Sequence, residues 1–278
     1  MIRLLLIEWI KLRNYRAFHV LTGLYFIVVA FVCSGGTLLL EYLNYQKTKN
    51  NATFITVDPR ILPIYDFPDV WQNITFIAAR LKIFLAFIVI ISLTNEITYK
   101  TFRQNIIDGL NRVEFMFSKI TMIFVLSLAN TLLVFLVGLI NGLIYSHDKS
   151  LVAIFGNMEF LGAFFLNVFI FLIFSFLVGL IIKRTGIAIV FLGIYATFME
   201  PIATLIFKHM PKLPAFFAEI APYFPTQALR DLIPNPYPRY ILQDFQEYIA
   251  FSNVAIVSCQ LLIYSGIIYL LLKWKNNN

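Results

Sequence analysis

Charged residues are scarce in this chain, and their scarcity excludes an ordinary water-soluble domain. Of the 278 residues, 13% are Asp, Glu, Lys or Arg, whereas 60% are hydrophobic. A soluble domain needs about a quarter charged residues to cover its surface with groups that water hydrates. The composition therefore predicts a protein whose surface faces lipid.

Cysteine, histidine and the common catalytic motifs are also poorly represented. Cys33 and Cys259 lie in apolar runs and the three histidines are far apart, which argues against a disulfide framework and against a metal site. No H-E-x-x-H, G-x-S-x-G or Walker-type G-K-[ST] sequence occurs. We therefore expect that the chain is not itself an enzyme and holds no cofactor.

Long apolar runs are what the sequence has in abundance. A helix needs about 20 apolar residues to cross the hydrocarbon core of a bilayer, and its backbone must satisfy its own hydrogen bonds there. Six runs meet this requirement without the alternation of a β-barrel: 18–40, 74–93, 120–145, 160–182, 186–207 and 253–272. The predicted fold class is an all-α polytopic membrane protein with six transmembrane helices, forming a single domain over 1–278.

The distribution of Lys and Arg predicts the orientation of these spans. With the N-terminus in the cytoplasm, the inner segments hold twelve Lys or Arg and four acids, whereas the outer segments hold eight and ten. Cytoplasmic loops of membrane proteins carry the excess of Lys and Arg. We therefore predict a multi-pass protein of the bacterial inner membrane with both termini in the cytoplasm. The net charge of +7 then reflects topology, and no nucleic-acid partner is expected.

Two segments outside the spans have a distinctive composition. Residues 1–17 combine apolar and basic side chains, which is typical of an interfacial helix that lies on the membrane before the first span. The outer segment 208–252 holds seven of the eleven prolines. Because proline interrupts helices, we expect short broken helices there, before the last span.

The cytoplasmic segment 94–119 is longer than a turn between two spans requires. Apolar and charged residues alternate in it at helical spacing: Ile106, Ile107, Leu110, Lys100, Arg103 and Asp108. Gly109 is suited to a helix end, and Asn111 with Glu114 is suited to an N-cap with its N3 acid. The pattern predicts a short amphipathic helix that lies across the cytoplasmic ends of the spans. Such a helix either anchors the loop at the membrane surface or docks a cytosolic partner.

This segment resembles the loop between the second and third spans of ABC-2 type transporter permeases. That family often shows a Glu, a Thr-x-Arg, a Gly, an Arg-x-x-Phe and a Lys in this order. The matching residues are Glu96, Thr101, Arg103, Gly109, Arg112, Phe115 and Lys119. The opening Glu8-x-x-Lys11, the six spans and the broken outer segment are also similar to that family. The long first outer loop, 41–73, departs from it.

The resemblance implies a permease subunit that uses ATP hydrolysed by another chain. Two permease subunits, as a homodimer or a heterodimer, would pair with two cytosolic ABC ATPase subunits that bind ATP and Mg²⁺. The segment 94–119 would hold the coupling helix, with Ile107 as an apolar anchor beside the matching residues. The family also implies export of a lipid-like, peptide or other amphipathic substrate through the surrounding membrane lipid.

Charged residues inside the predicted spans are candidates for the substrate path or a gate. Glu200 is the one acid in the middle of a span, and Pro201 follows it. Its carboxylate either lines the path or pairs near the outer boundary with Lys208. Arg80 and Lys82 in the second span either extend outward to the interface or contact an anionic headgroup.

A G-x-x-x-G pattern occurs in the third predicted span, at Gly138 and Gly142. Two small residues one helical turn apart allow another segment to approach the helix closely. We therefore expect tight packing on this face of the helix, with no prediction of the segment that packs there.

Two other functions are compatible with six spans alone. An ion-driven secondary transporter usually has several ionisable residues in mid-span and inverted repeats, and of these features the sequence offers only Glu200. A non-transporting membrane scaffold or enzyme needs neither feature. The pattern in 94–119 favours the ABC permease over both alternatives.

Overall fold

The structure is a computed structural model in which helices account for most of the described chain. The described residues are 15–50, 64–99, 101, 104, 107, 109, 111–210, 214–236 and 248–274. No β-strand occurs among them, so the predicted all-α fold is confirmed. The predicted interfacial helix 1–17 falls almost wholly outside these residues, and so does Arg103 of the coupling segment.

Ten α-helices follow one another along the described chain. They are α1 (Arg16–Asn50), α2 (Val70–Thr98), α3 (Arg112–Tyr145), α4 (Leu151–Phe155), α5 (Glu159–Ile182), α6 (Thr185–Ile194), α7 (Glu200–His209), α8 (Ala215–Ile220), α9 (Pro225–Leu232) and α10 (Phe251–Trp274). A π-helical turn, Tyr195–Met199, joins α6 to α7. Six units of the described chain are long and apolar enough to cross a membrane: α1, α2, α3, α4–α5, α6–α7 and α10. The predicted number of spans is therefore confirmed.

Side-chain contacts define the two ends of the helix bundle. The Asn95 side chain donates a hydrogen bond to the Tyr15 hydroxyl at 2.7 Å, which brings the beginning of α1 to the end of α2. The end that holds this contact and the connection between α2 and α3 is called the motif end. The opposite end, which holds α4, α8 and α9, is called the proline-rich end.

Helices α2 and α5 form the centre of the bundle. They pack more extensively against each other than any other pair of the described helices, and α3 and α10 also pack against α5. Apolar side chains lie on every side of both helices, although α2 also carries the charged residues Arg80, Lys82 and Glu96, and this distribution suits helices that are surrounded by others within a membrane. The outer spans leave large apolar side chains exposed, as lipid-facing surfaces require: Val20, Ile27, Phe31, Phe198, Ile202 and Leu262.

The G-x-x-x-G face of α3 packs against the beginning of α2. A Cβ atom at Gly138 would lie 2.9 Å from the Trp71 ring, and one at Gly142 would overlap the Phe67 ring. Trp71 is fully buried, and its indole N–H donates to the Ile154 carbonyl at 2.8 Å. The tight packing predicted for this face is confirmed, and it joins segments of the same chain.

Prolines divide the segment after α7 into short helices. Pro214 precedes α8, Pro222 lies in a 3₁₀ turn, and Pro225 begins α9. Proline has no amide hydrogen and a fixed φ, so it is tolerated in the first turn of a helix and disfavoured inside it. The predicted broken helices are therefore present in the described part of 208–252.

Candidate functional site

The connection between α2 and α3 ends at a capping box. The Asn111 side chain accepts a hydrogen bond from the Val113 amide at 3.4 Å, and the Glu114 carboxylate accepts one from the Asn111 amide at 2.9 Å. Gly109 has φ +95°, a conformation that residues with a Cβ atom rarely adopt. The predicted N-cap is confirmed. Because α2 continues to Thr98 and α3 begins at Arg112, the connection itself is reduced to 99–111.

An ion pair joins α2 to α3 beneath this connection. The Lys119 ammonium lies 2.5 Å from a Glu96 carboxylate oxygen, and Lys119 is only 1% exposed. The same ammonium lies 5.6 Å from the centre of the Phe115 ring, within the range of a cation–π contact. A buried ammonium requires a counter-charge, so this pair holds the two spans together at the motif end.

Arg112 attaches the beginning of α3 to the last span. Its guanidinium donates to the Leu272 carbonyl at 2.7 Å, and that carbonyl belongs to the last turn of α10, where helix carbonyls lack partners within the helix. Among the described residues, four of the eight predicted docking residues thus make the contacts that hold α2, α3 and α10 together: Glu96, Arg112, Phe115 and Lys119. The motif end is a joint between α2, α3 and α10.

The other predicted docking residues are exposed where the structure describes them. Thr101 and Ile107 are helical, and Ile107 is 78% exposed. The Thr101 hydroxyl donates to the Glu96 carbonyl at 3.2 Å, so the beginning of the connection contacts the end of α2. Gly109 is also exposed, and Arg103 lies outside the described residues. The middle of the connection is therefore exposed, whereas the residues on either side of it hold the helices of the bundle together.

A cavity of about 260 Å³ lies between α2, α5, the π-helical turn and α9. Asn167 in its wall is eight residues from the beginning of α5, or about 12 Å at 1.5 Å per residue. The charged groups of the described lining are all cations, namely Arg80, Lys82 and Arg230. Its apolar wall is formed by Phe76, Ile83, Phe171, Leu229 and Ile233.

Lys82 is held inside the bundle. It is 8% exposed, its ammonium donates to the Asn167 side-chain oxygen at 2.5 Å, and it lies 4.8 Å from the centre of the Phe171 ring. Outward extension to the interface, one of the two predicted alternatives, is therefore wrong for Lys82. An ammonium has three donors, and one of them makes a hydrogen bond within the described chain.

Asn167 is the site residue that sequence reasoning missed. Its amide nitrogen donates to the Leu229 carbonyl of α9 at 2.5 Å, while its oxygen accepts from Lys82. One side chain of α5 therefore connects α2 with α9. The available indication was a single Asn in the apolar run 160–182, because a polar group in hydrocarbon needs a partner.

The two arginines border the cavity with different degrees of exposure. Arg80 is exposed, and its guanidinium lies 4.7 Å from the centre of the Phe76 ring. Arg230 donates to the Thr226 hydroxyl at 3.2 Å, and its Nε is buried without a partner among the described residues. Burial lowers the pKa of Arg230 from its ordinary value, since surroundings of low polarity disfavour the charged form.

Glu200 caps α9 from the neighbouring span. One carboxylate oxygen accepts hydrogen bonds from the Thr226 and Gln227 amides at 2.7 and 2.5 Å, and the residue is 2% exposed. These amides lie in the first turn of α9, where helix donors lack internal partners and a negative charge is favoured. These contacts, and not the predicted alternative with Lys208, give the buried carboxylate its partners.

Pro201 follows Glu200 in the same continuous span. Because proline lacks an amide hydrogen and its ring crowds the carbonyl four residues earlier, it disturbs the helix near Thr197. The π-helical turn 195–199 lies at this point, and widened turns of this kind accommodate such disturbances. Thr197 lines the cavity, so the irregular part of the span borders the cationic site.

Helix α10 binds the backbone both before the beginning of α9 and at its end. The Asn253 side chain donates to the Asp231 carbonyl at 2.6 Å, and the Gln260 side chain donates to the Tyr223 carbonyl at 3.0 Å. The Asp231 carboxylate accepts from the Gln227 side chain at 2.7 Å. Burial raises the pKa of the Asp231 carboxyl from its ordinary value. Helix α9 is thus held by α5, α7 and α10 together.

Comparison with known protein families identifies most of the chain. A family model described as "ABC-2 family transporter protein" matches residues 71–275. The match extends from the first turn of α2 past the end of α10, so it includes both the ion pair of the motif end and the cavity. No match is found among curated proteins.

Proposed function

The chain belongs to the ABC-2 transporter family and is the permease of an ABC transporter, and we propose that it couples to a separate cytosolic ATPase through the connection 99–111. Permeases of this family are the transmembrane component of the transporter and not its ATPase. The observation that carries the proposal is the exposed Ile107 above the buried Glu96–Lys119 pair.

The chemistry of the connection suits a groove on a partner protein. Thr101, Gln104 and Ile107 are helical, exposed and spaced by three residues, so they lie near one face of a helix. Amphipathic helices dock by placing apolar anchors in a groove, while charged neighbours give specificity. We assign the anchor to Ile107 and retain Arg103 as a predicted charged contact.

The flanks of the connection would transmit movement to the spans. Glu96 and Lys119 join α2 to α3, and Arg112 joins α3 to α10, so a displacement of the connection acts on three spans at once. Helix α2 in turn lines the cavity through Arg80 and Lys82. A path of packed helices therefore leads from the proposed docking surface to the site within the membrane.

We extend the proposal to the assembly and its location. Two permease subunits, alike or different, would bind two ATPase subunits that hold ATP and Mg²⁺. The excess of Lys and Arg in the segments of the motif end supports a cytoplasmic position for that end in a bacterial inner membrane. The substrate would be exported and would be lipid-like, a peptide or another amphipathic molecule.

A charge substitution at Ile107 tests the docking proposal. Ile107→Asp is expected to reduce the ATPase that co-purifies with the tagged permease from native membranes about tenfold or more, because a carboxylate in an apolar groove loses its hydration. Mass spectrometry and ATP hydrolysis of the purified complex measure the effect. Val152→Asp is the matched control, since Val152 is a valine on the proline-rich end that is 86% exposed.

The control separates loss of docking from loss of folding. Val152→Asp introduces the same charge at the opposite end and is expected to retain the ATPase. If Ile107→Asp and the unmodified permease bound equal amounts of ATPase, the connection 99–111 would not be the docking surface. Thermal unfolding of both variants in detergent verifies that each is folded.

A further inference from the structure

We propose that the cavity between α2, α5, the π-helical turn and α9 binds the anionic headgroup of an amphipathic substrate, through Arg80, Lys82 and Arg230. The headgroup would carry a phosphate or carboxylate. The inference rests on the proposed function only in taking this ligand as the transported substrate. Binding itself needs neither the ATPase nor ATP.

The charge balance of the cavity is the first argument. Three cations border it, and the part of the lining that the structure describes contains no carboxylate. Glu200 and Asp231 lie outside the lining and interact with Arg230, and the two amides of α9 that donate to Glu200 leave its negative charge in place. The three cations of the lining still exceed these two nearby acids. Cations inside a membrane protein are costly and are found at ion pairs or on substrate pathways. An anionic ligand would supply the missing counter-charge.

Unused hydrogen-bond donors are the second argument. Lys82 is more than nine-tenths buried and lines the cavity. Its ammonium has three N–H donors, and one of them donates to Asn167. The Nε group of Arg230 is buried and has no acceptor within the described chain. Phosphate and carboxylate oxygens accept strong hydrogen bonds from ammonium and guanidinium groups. The site therefore offers hydrogen-bond donors that would bind a neutral headgroup more weakly than an anionic one.

The size and the walls of the cavity indicate a ligand with an apolar part. A volume of about 260 Å³ exceeds what a single inorganic anion would fill. Apolar side chains, among them Phe171, Leu229 and Ile233, form much of the wall. Arg80 is exposed and marks an open edge through which the rest of the ligand could extend. An amphiphile satisfies the cations and these apolar surfaces at once.

Binding to the purified full chain tests the proposal. The chain, in a neutral detergent, is titrated with dihexanoyl phosphatidylglycerol, with dihexanoyl phosphatidylcholine and with inorganic phosphate, and heat or thermophoresis reports affinity. We expect the anionic lipid to bind about tenfold more tightly than the zwitterionic one, as one charge-assisted hydrogen bond corresponds to about that factor. Inorganic phosphate is expected to bind more weakly than the anionic lipid.

Variants of the lining assign this preference to the cavity. Lys82→Gln and Arg230→Gln are each expected to weaken binding of the anionic lipid about tenfold while leaving the zwitterionic lipid unchanged. Lys149→Gln is the control, because Lys149 is exposed on the proline-rich end and does not line the cavity. Lys82→Arg is expected to keep the preference for the anionic lipid. Arg80→Gln is expected to reduce this preference with little effect on folding, because Arg80 is exposed.

Three results would overturn the proposal. Equal affinity for the two lipids would exclude an anionic headgroup, and inorganic phosphate binding as tightly as the lipid would show a free-anion site instead. Retained preference in folded Lys82→Gln, Arg80→Gln and Arg230→Gln would place the binding elsewhere. Failure here leaves ATPase co-purification intact, whereas failure of the docking proposal in Ile107→Asp leaves lipid binding intact, so the two outcomes are distinguishable.

Discussion

Single residues of the 94–119 pattern fall into two groups with different physical roles. Lys119, Glu96 and Phe115 are packed against one another, whereas Ile107 is exposed to the surroundings. A buried ammonium depends on its counter-charge, while an exposed apolar side chain contributes little to the folded chain. Substitutions in the first group should therefore affect stability, and those in the second should affect association.

Removal of one partner of the buried ion pair is expected to destabilise the chain. Lys119→Met leaves the Glu96 carboxylate without its counter-charge, which costs about 3–5 kcal/mol when the remaining charge stays buried. Thermal unfolding of the purified chain in detergent measures the loss. The double variant Glu96→Gln/Lys119→Met, which leaves no lone charge, should recover much of it. A single variant as stable as the unmodified chain would show that the pair adds nothing to stability.

At the scale of elements, the stability of helix α9 depends on contacts with neighbouring helices. A helix of eight residues is too short to be stable alone in water. Glu200 of α7 caps its beginning, Asn167 of α5 binds one of its carbonyls, and Asn253 of α10 binds the carbonyl of Asp231 at its end. Helix α9, which lines the cavity, is therefore positioned by three spans, and movement of these spans would move this wall of the cavity.

The G-x-x-x-G face of α3 provides a test of helix packing. Gly142→Ala is expected to destabilise the chain by about 1–3 kcal/mol, because its Cβ atom would overlap the Phe67 ring. Gly162→Ala in α5 is the control, since a Cβ there meets no described atom within 4 Å. That change should be neutral or stabilise the helix by up to about 1 kcal/mol. Equal melting temperatures for the two variants would contradict the packing described here.

The orientation of the whole molecule can be tested by labelling single cysteines. In a chain with Cys33→Ala and Cys259→Ala, Tyr223→Cys should react with a membrane-impermeant maleimide on intact cells. Tyr99→Cys should react only after permeabilisation. Tyr99 and Tyr223 are 74% and 61% exposed and lie at opposite ends of the bundle, so both are accessible to reagent on their own side. The reverse labelling pattern would place the motif end outside and exclude docking of a cytosolic ATPase there.

Local patterns in the sequence were sufficient for the number of spans, the helix boundaries at prolines and the cap of α3. A run of apolar residues long enough for the bilayer forms a helix whatever packs against it, because lipid leaves the backbone no other partner. The Asn111–Glu114 cap and the break at Pro225 likewise depend on residues within one turn of each other. The resemblance of the 94–119 pattern, taken together with the six spans, predicted the family that the family model over residues 71–275 shows.

Contacts between helices that are distant in the sequence could not be predicted from such local patterns. Helices α2 and α5 have apolar side chains on every side, so their hydropathy does not say which face of one meets which face of the other. Lys82 and Asn167 are 85 positions apart, and Glu200 and Thr226 are 26 apart, yet both pairs are in contact. The cationic cavity exists because the packing of four elements brings these polar groups together. Their mutual hydrogen bonds compensate for the hydration that the groups lose in the membrane.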